Sequence, residues 1–386
     1  MKSMNVAIIG TKFMGKAHSN AWLNAPRFFD MSIKPVLKVA CGRNEADLKD
    51  FASCWGWEET ETDWRAVIER DDVDIIDISV PTYLHHEIAV AAARAGKHIF
   101  LEKPFAITLE EAREMYEEAE KAGIVHYLNH NYRRAPAVRL AKKLIDDGYI
   151  GRIFHWRGAY LQDWIVDPEF PLTWHLRQET AGSGPHGDLN SHSVDLARYL
   201  VGDIKSVSAM MKTFIEERPL PGEGAATFSA GTGAANEKGR VTVDDASFML
   251  AEFENGALGS FEASRFAPGR KNYNYFEIYG SKGSIVFNLE RMNELQLFLT
   301  DDPAYAQGFR TIMVTEGGEH DYIANWWPPG HIIGYEHAFH HAVVDFMEAI
   351  ANDTAVAPNF YDGLKEIEVL SAGMESAAKG TRVDIS

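Results

Sequence analysis

The first 128 residues alternate short apolar runs with amphipathic stretches, and no other feature limits the possible folds so sharply. Apolar runs fall at residues 5–9, 36–41, 74–80, 99–101 and 124–128, with helical patterns at about 14–23, 87–95 and 108–122 between them. Strands separated by helices pair in parallel, so this region predicts a doubly wound sheet with helices on its faces. Residues 26–35, which begin and end on proline, read as a loop inserted between the first helix and the second strand. The helix at 108–122 opens Thr108-Leu109-Glu110-Glu111, a threonine cap with a glutamate three residues on.

The pattern changes after residue 129. A helix is expected over about 136–147, closed by Gly148, and then strand-like runs follow at 154–160, 204–213, 245–253, 257–265, 274–280 and 284–288. With hairpin signals such as Asn255-Gly256, these predict a large, mostly antiparallel open sheet. Residues 219–239, rich in Gly, Ala and Ser, are expected to be a mobile loop. Helices are expected at 335–351 and 361–379, and an extended end at 382–385. The fold class is therefore α/β: a doubly wound domain of the dinucleotide-binding kind over 1–129, and an α+β domain over 130–386. The C-terminal helices are free to pack back on the first domain. A chain of 386 residues is long enough for both.

The formal net charge of −18 argues against a nucleic-acid surface, which needs clustered Lys and Arg. It suits an uncharged or cationic small molecule. Cys41 and Cys54 form neither a disulfide framework nor a metal-ligand spacing, and no metal site is expected; a reducing cytoplasm is the natural setting. The N-terminus runs straight into a strand with no signal-like segment, and no apolar run approaches a membrane span.

The first turn reads Gly10-Thr11-Lys12-Phe13-Met14-Gly15, between a strand and a helix. That is where a dinucleotide fingerprint stands, although Lys12 occupies the place of the second glycine. The ammonium of Lys12 could serve a phosphate instead. His18 and Asn20, further along this helix, read as packing or solvent-facing residues. At the end of the second strand, Gly42 and Arg43 stand where an acidic residue would select NAD. Arg43 could meet a 2′-phosphate or merely stack on adenine, so NAD(P) is expected, with NADP slightly favoured over NAD. Further on, Glu102-Lys103-Pro104 ends a buried strand, where open α/β sheets bind their ligands. In Ala181-Gly182-Ser183-Gly184-Pro185-His186-Gly187-Asp188, followed by His192, glycines bring backbone close to a ligand and a helix is expected to begin near Asp188. Asp188 and His192 are then four apart on one face, a carboxylate able to orient an imidazole as general base. Gln162-Asp163-Trp164, Trp174-His175-Leu176-Arg177 and Pro329-Gly330-His331 combine aromatic faces with placed polar groups, as sugar pockets do. Each of these side chains could equally be stabilising the fold.

Together the fingerprint turn, the Glu-Lys-Pro strand end, the polar stretch at 129–134, the glycine-rich segment with its Asp and His, and the late Gly-His-x-x-Gly-Tyr resemble one family across the whole chain. It is the nicotinamide-dependent sugar and polyol dehydrogenases that include glucose-fructose oxidoreductase and inositol dehydrogenase. The resemblance implies a Rossmann domain whose cofactor is held by Gly10, Lys12, Phe13, Met14, Gly15, Gly42, Arg43, Pro81, Thr82, His85, Glu102 and Lys103. It implies catalysis by Lys103, Asp188 and His192, and a substrate pocket drawing on Tyr132, Gln162, Asp163, Trp164, His175, Arg177 and His331. Relatives usually carry Arg at the place of His175 and an apolar residue at that of His186, which bears on the identity of the substrate. The implied reaction is oxidation of a secondary hydroxyl of a sugar, anhydrosugar or cyclitol to a ketone, by a homo-oligomer (dimer or tetramer). Two rivals share the motifs: a cofactor-retaining enzyme that cleaves glycosides through a transient ketone, and a non-catalytic NAD(P)-sensing regulator.

Overall fold

In the computed structural model, residues 2–221, 237–317 and 322–385 are described. The chain divides into two units, residues 1–135 with 315–365 and residues 136–314 with 366–386. The first unit holds strands β1 (Lys2–Ile9), β2 (Ile33–Cys41), β3 (Glu59–Glu61), β4 (Ile75–Ile78), β5 (His98–Leu101) and β6 (His126–Leu128). They form one parallel sheet in the order β3-β2-β1-β4-β5-β6. Between them run α1 (Phe13–Phe28), α2 (Glu45–Trp55), α3 (Trp64–Ile68), α4 (His85–Arg94) and α5 (Leu109–Ala122). The expected cap of α5 is present: Thr108 Oγ1 accepts the Glu111 backbone N–H at 3.2 Å, and the Glu111 carboxylate accepts that of Thr108 at 3.3 Å.

The second unit contains α6 (Pro136–Asp146), β7 (Ile153–Leu161), α7 (Gln178–Ala181), α8 (Pro185–Asp188), α9 (Asn190–Leu200), β8 (Ile204–Lys212), β9 (Glu217–Pro219), β10 (Lys238–Arg240), β11 (Ala246–Phe253), β12 (Leu258–Ser264), β13 (Tyr273–Gly280), β14 (Gly283–Asn288), β15 (Glu294–Leu299) and β16 (Arg310–Met313). With β17 (Val383–Asp384), nine of these strands form a sheet ordered β16-β15-β14-β13-β7-β12-β11-β8-β17. Every pair in it is antiparallel except β7 with β12. The helices α10 (Tyr335–Asn352) and α11 (Phe360–Lys379) close the chain, α10 in the first unit and most of α11 in the second.

The first unit's core joins residues from both of its segments. Val6 and Ile8 of β1, Trp22 of α1, Phe100 and Tyr127 pack with Phe339, Phe346 and Met347 of α10. Trp22 and Phe346 each meet the Phe100 ring edge-on at 5.5 Å between centroids.

One expectation changes here. The loop read at 26–35 shrinks to four residues, because α1 continues through Pro26 to Phe28 and β2 starts at Ile33. Pro26 stands in the last turn, where its missing N–H removes a single helix bond, and Pro35 lies on a stretch of β2 that β3 does not reach. Strands β3 and β16 carry no alternation that sequence reading could use, β3 being Glu-Thr-Glu, whereas β15 alternates as Glu-Leu-Gln-Leu and lies beyond the expected runs. Of the loop expected at 219–239, residues 222–236 lie outside those described, while its two ends belong to the antiparallel pair β9 and β10.

Candidate active site

The sheet order of the first unit reverses at β1, which has β2 on one side and β4 on the other. Ligands of such sheets bind beyond the strand ends at that point, where Gly10 and Ser79 stand. Gly10 has φ of +114°, and a Cβ there would lie 2.3 Å from the Ser79 carbonyl oxygen. A Cβ on Gly15 would lie 2.1 Å from the Gly10 oxygen, so the turn closes only with glycine at both ends. The α1 N-terminus that follows has no side-chain cap and no acidic residue in its first turn, leaving backbone N–H groups for an anion. These features fit a dinucleotide pyrophosphate. Lys12 pairs with Asp47 of α2 at 3.1 Å rather than standing alone. Gly42 packs toward Thr11, and Arg43 is exposed beside Asn44, whose side chain caps α2. Phe13 is exposed and stacks 6.5 Å from Tyr335, and Met14 is half-buried.

Lys103 follows the end of β5, with a cis bond to Pro104. The preceding Glu102 is buried, and its carboxylate accepts from Asn129 Nδ2 at 2.6 Å and from the Lys103 backbone N–H at 3.1 Å. Burial alone would raise its pKa; His18, Lys103 and Asn129 outweigh burial and hold it below the ordinary value. His85 is buried between the carbonyl oxygens of Pro104 (2.9 Å) and Val80 (3.0 Å), packed between the Lys103 turn and the Pro81–Thr82 turn, and its neutral ring donates to one of them. Burial pushes its pKa below 6.5 against the pull of those carbonyls. Tyr132 is buried beside Tyr335, and His331 lies on an exposed turn of this unit with Nδ1 2.9 Å from the Pro328 oxygen.

In the second unit, Asp188 ends α8, and His192 lies in the first turn of α9. The helix thus starts at Pro185, three residues before the expected point, and Leu189 (φ −97°, ψ −45°) keeps a helical backbone across the junction. Asp188 Oδ2 accepts from Arg265 Nη2 at 2.5 Å. Arg265 is 1% exposed, its guanidinium carbon lies 5.0 Å from the Trp164 ring centre, and its Nε and Nη1 have no hydrogen-bond partner among the described residues. Trp164 Nε1 donates to Gln162 Oε1 (2.8 Å); Gln162 Nε2 (3.2 Å) and Tyr160 Oη (2.7 Å) donate to Asn272 Oδ1. The Tyr160 ring lies 5.7 Å from that of His192. One polar and aromatic network therefore runs from Asn272 through Tyr160, Gln162 and Trp164 to Arg265 and Asp188.

His175 joins its edge, stacked 3.7 Å from Trp174 and edge-on to Trp164. Asp163 is turned to structural use: Lys271 Nζ (2.8 Å) and the Gly269 N–H (2.9 Å) hold its carboxylate, and with Lys271 first they lower its pKa. Arg177 is half-buried, 3.8 Å from Glu179. His186 lies in the core instead of the network. Its Nε2 donates to the Leu370 carbonyl (2.8 Å), and burial pushes its pKa down, so Nδ1 accepts from the Ser247 hydroxyl (2.9 Å). Arg265 and Asn272 escaped sequence reading because no motif marks them; each enters through a strand-end position that only the sheet register defines. His337 and His341 are four apart on α10, but no group of three or more His, Cys, Asp or Glu is placed for a metal among the described residues. None of the described helices is long and apolar enough to cross a membrane.

A dinucleotide-type turn on a parallel sheet, with Asp188 and His192 on successive helices of a unit built on a mostly antiparallel one, fits the class of two-part nicotinamide-linked enzymes. Residues 4–130 match the oxidoreductase family with an NAD-binding Rossmann fold, and residues 138–286 match the GFO/IDH/MocA C-terminal domain. The chain belongs to the GFO/IDH/MocA family of oxidoreductases. It is 46% identical over 387 aligned residues to levoglucosan dehydrogenase of Pseudarthrobacter phenanthrenivorans, covering 100% of this chain and 99% of that one. Solved structures of levoglucosan dehydrogenase superpose over 100% of both chains at 45% identity, with TM-scores of 0.94 for its complex with NADH and 0.93 for its complex with NADH and levoglucosan.

Proposed function

We propose that this protein is a nicotinamide-dependent dehydrogenase that oxidises a secondary hydroxyl of a sugar, anhydrosugar or cyclitol to a ketone. The observation that carries the reading is the full-length likeness to levoglucosan dehydrogenase, which makes an anhydropyranose the first substrate to try. Gly10, Gly15 and the α1 N-terminus would hold the pyrophosphate, Gly42 and Arg43 the adenosine end, and Pro81, Thr82, His85 and Glu102 would shape the nicotinamide end around Lys103. The bound cofactor supplies the hydride acceptor. Lys103 donates to the reacting oxygen and stabilises the developing alkoxide. His192 takes the hydroxyl proton, with Asp188 as its orienting carboxylate and Arg265 holding that carboxylate in place through its hydrogen bond. Gln162, Trp164 and His175, with Tyr132, Arg177 and His331, contribute to sugar recognition.

For the cofactor, the slight preference for NADP now has Arg43 alone behind it. Asp47 brings a carboxylate to Lys12 beside the same turn, and relatives in this family were solved with NADH, so NAD is the cofactor to expect first. A homo-oligomer is supported by Met210, Phe248, Leu250 and Leu258, exposed apolar residues whose cross-strand register puts them on one face of the large sheet. A panel of levoglucosan, pyranoses and inositols with NAD and with NADP, read at the nicotinamide absorbance, tests the reading. Reduction of either cofactor by one of them supports it; binding of cofactor without reduction by any of them refutes it.

A further inference from the structure

His18 is fully enclosed on α1, and both of its ring nitrogens face carboxylates. Nδ1 lies 2.8 and 3.0 Å from the two oxygens of Asp77, and Nε2 lies 2.8 Å from Glu102 Oε1. Asp77 and Glu102 are themselves buried. An ionised carboxylate only accepts, so satisfying both contacts requires an N–H on each nitrogen, which is the imidazolium. One positive ring then serves two negative groups in a site without water-exposed surface, an arrangement that tolerates loss of the ring poorly. Trp22 Nε1 donates to Asp77 Oδ2 at 2.6 Å, and Asn129 Nδ2 donates to Glu102. The rings of Phe100 and Phe339 cover the imidazole at 5.3 and 5.7 Å, and the charge of Lys103 acts on Glu102.

A continuous chain results: Trp22, Asp77, His18, Glu102 and the backbone N–H of Lys103, linking α1 and β4 to the turn after β5. We propose that His18 is a positioning residue for Lys103: it fixes Glu102, and Glu102 fixes the backbone from which the ammonium is presented. The inference rests on the role proposed above for Lys103. Burial would drive the ring neutral, but Asp77 and Glu102 outweigh it and raise its pKa to about 10, so the clamp stays charged at neutral pH. A neutral ring would donate to only one of the two carboxylates and release the other.

Replacing His18 alone leaves two buried carboxylates unbalanced and endangers folding. The comparison is therefore made in an Asp77→Asn background, where one positive and one negative group leave together. His18→Leu in that background removes the donor to Glu102; His18→Gln restores one. The Leu variant should turn over sugar about ten- to a hundred-fold more slowly than the Gln variant, the loss of one charge-assisted hydrogen bond. KM for the sugar and the dissociation constant for NAD should stay within about three-fold between the two, because positioning acts in the transition state. A second readout needs no substrate: the rate at which an amine reagent labels Lys103, followed by peptide mass spectrometry, should differ between the Leu and Gln variants. Equal turnover and equal labelling in folded variants would overturn the proposal, as would a loss expressed wholly in KM. If the parent binds NAD but oxidises no sugar while the labelling rates still differ, the functional reading fails and the positional one stands.

Discussion

Replacing His186 by Leu, the kind of residue expected there, separates a core role from a substrate role. The histidine is 0% exposed, it donates to the Leu370 carbonyl inside α11, and it accepts from Ser247, which is also 0% exposed. Two net hydrogen bonds contribute about 0.5–1.5 kcal/mol each, and orphaning the buried Ser247 hydroxyl costs about 1–3 kcal/mol more. Leucine recovers part of this through apolar burial, so the variant should be less stable by about 2–4 kcal/mol near neutral pH. Ser247→Ala added to it removes the orphan and should restore about half of that loss. The pH dependence has a definite sign. Burial lowers the folded pKa of His186 below its unfolded value, so the contribution is complete above about pH 6.5 and is lost as pH falls, when the unfolded chain takes up a proton that the folded one refuses. Between about pH 7.5 and 5.5, one such group accounts for at most about 1.4 kcal/mol. Leucine lacks that proton, so the stability gap between parent and variant should narrow on acidification. Urea midpoints at the two pH values, with unchanged slopes, measure it. A variant as stable as the parent, or a gap that widens in acid, refutes the reasoning; a change of sugar preference with no change in stability would return His186 to the substrate site.

His192→Ala should lower turnover by roughly 100-fold or more with NAD affinity near normal, checked by steady-state kinetics beside equilibrium titration. Lys103→Met should act mainly on kcat, because its interaction strengthens as the alkoxide forms; a pure rise in KM counts against the assignment. Gly15→Ala should remove NAD binding, since its methyl group would meet the Gly10 carbonyl at 2.1 Å, a backbone contact that cannot swing aside; unaltered titration curves would contradict this. Arg265→Lys keeps the charge but loses the planar group over Trp164, and should reduce kcat/KM by about ten-fold or more; parent-like kinetics would assign the pair with Asp188 to stability alone.

The parallel sheet was legible because its strands are buried on both faces and read as continuous apolar runs, such as Val6-Ala7-Ile8-Ile9, between helices with their own period. The Glu59–Glu61 strand has no such run: it forms because β2 offers an open edge, a fact of tertiary structure. The site divides in the same way. Gly10, Lys103, Asp188 and His192 stand in short motifs, so a linear reading finds them as candidates. His18, Arg265 and Asn272 are defined by what they face, namely Asp77 and Glu102, Asp188 with Trp164, and Tyr160 with Gln162. Their hydrogen-bond partners lie between 59 and 112 residues away in sequence. His186 shows the opposite error, a departure from pattern read as functional when its partners are Ser247 and a helix carbonyl.

The division of the first unit into residues 1–135 and 315–365 sets an order of events during synthesis. When the ribosome has delivered the parallel sheet, Phe339, Phe346 and Met347 have not yet been made, so Trp22, Phe100 and Tyr127 wait without the helix that covers them. Roughly 200 residues must emerge before that helix begins at Tyr335, about ten to forty seconds at ordinary elongation rates. A fragment ending near residue 135 would expose this aromatic surface permanently and should aggregate, so the nucleotide-binding half is not a portable module despite its contiguous motif. Expressing it alone requires grafting α10 back onto it, for which the Phe100–Phe346 contact supplies the register.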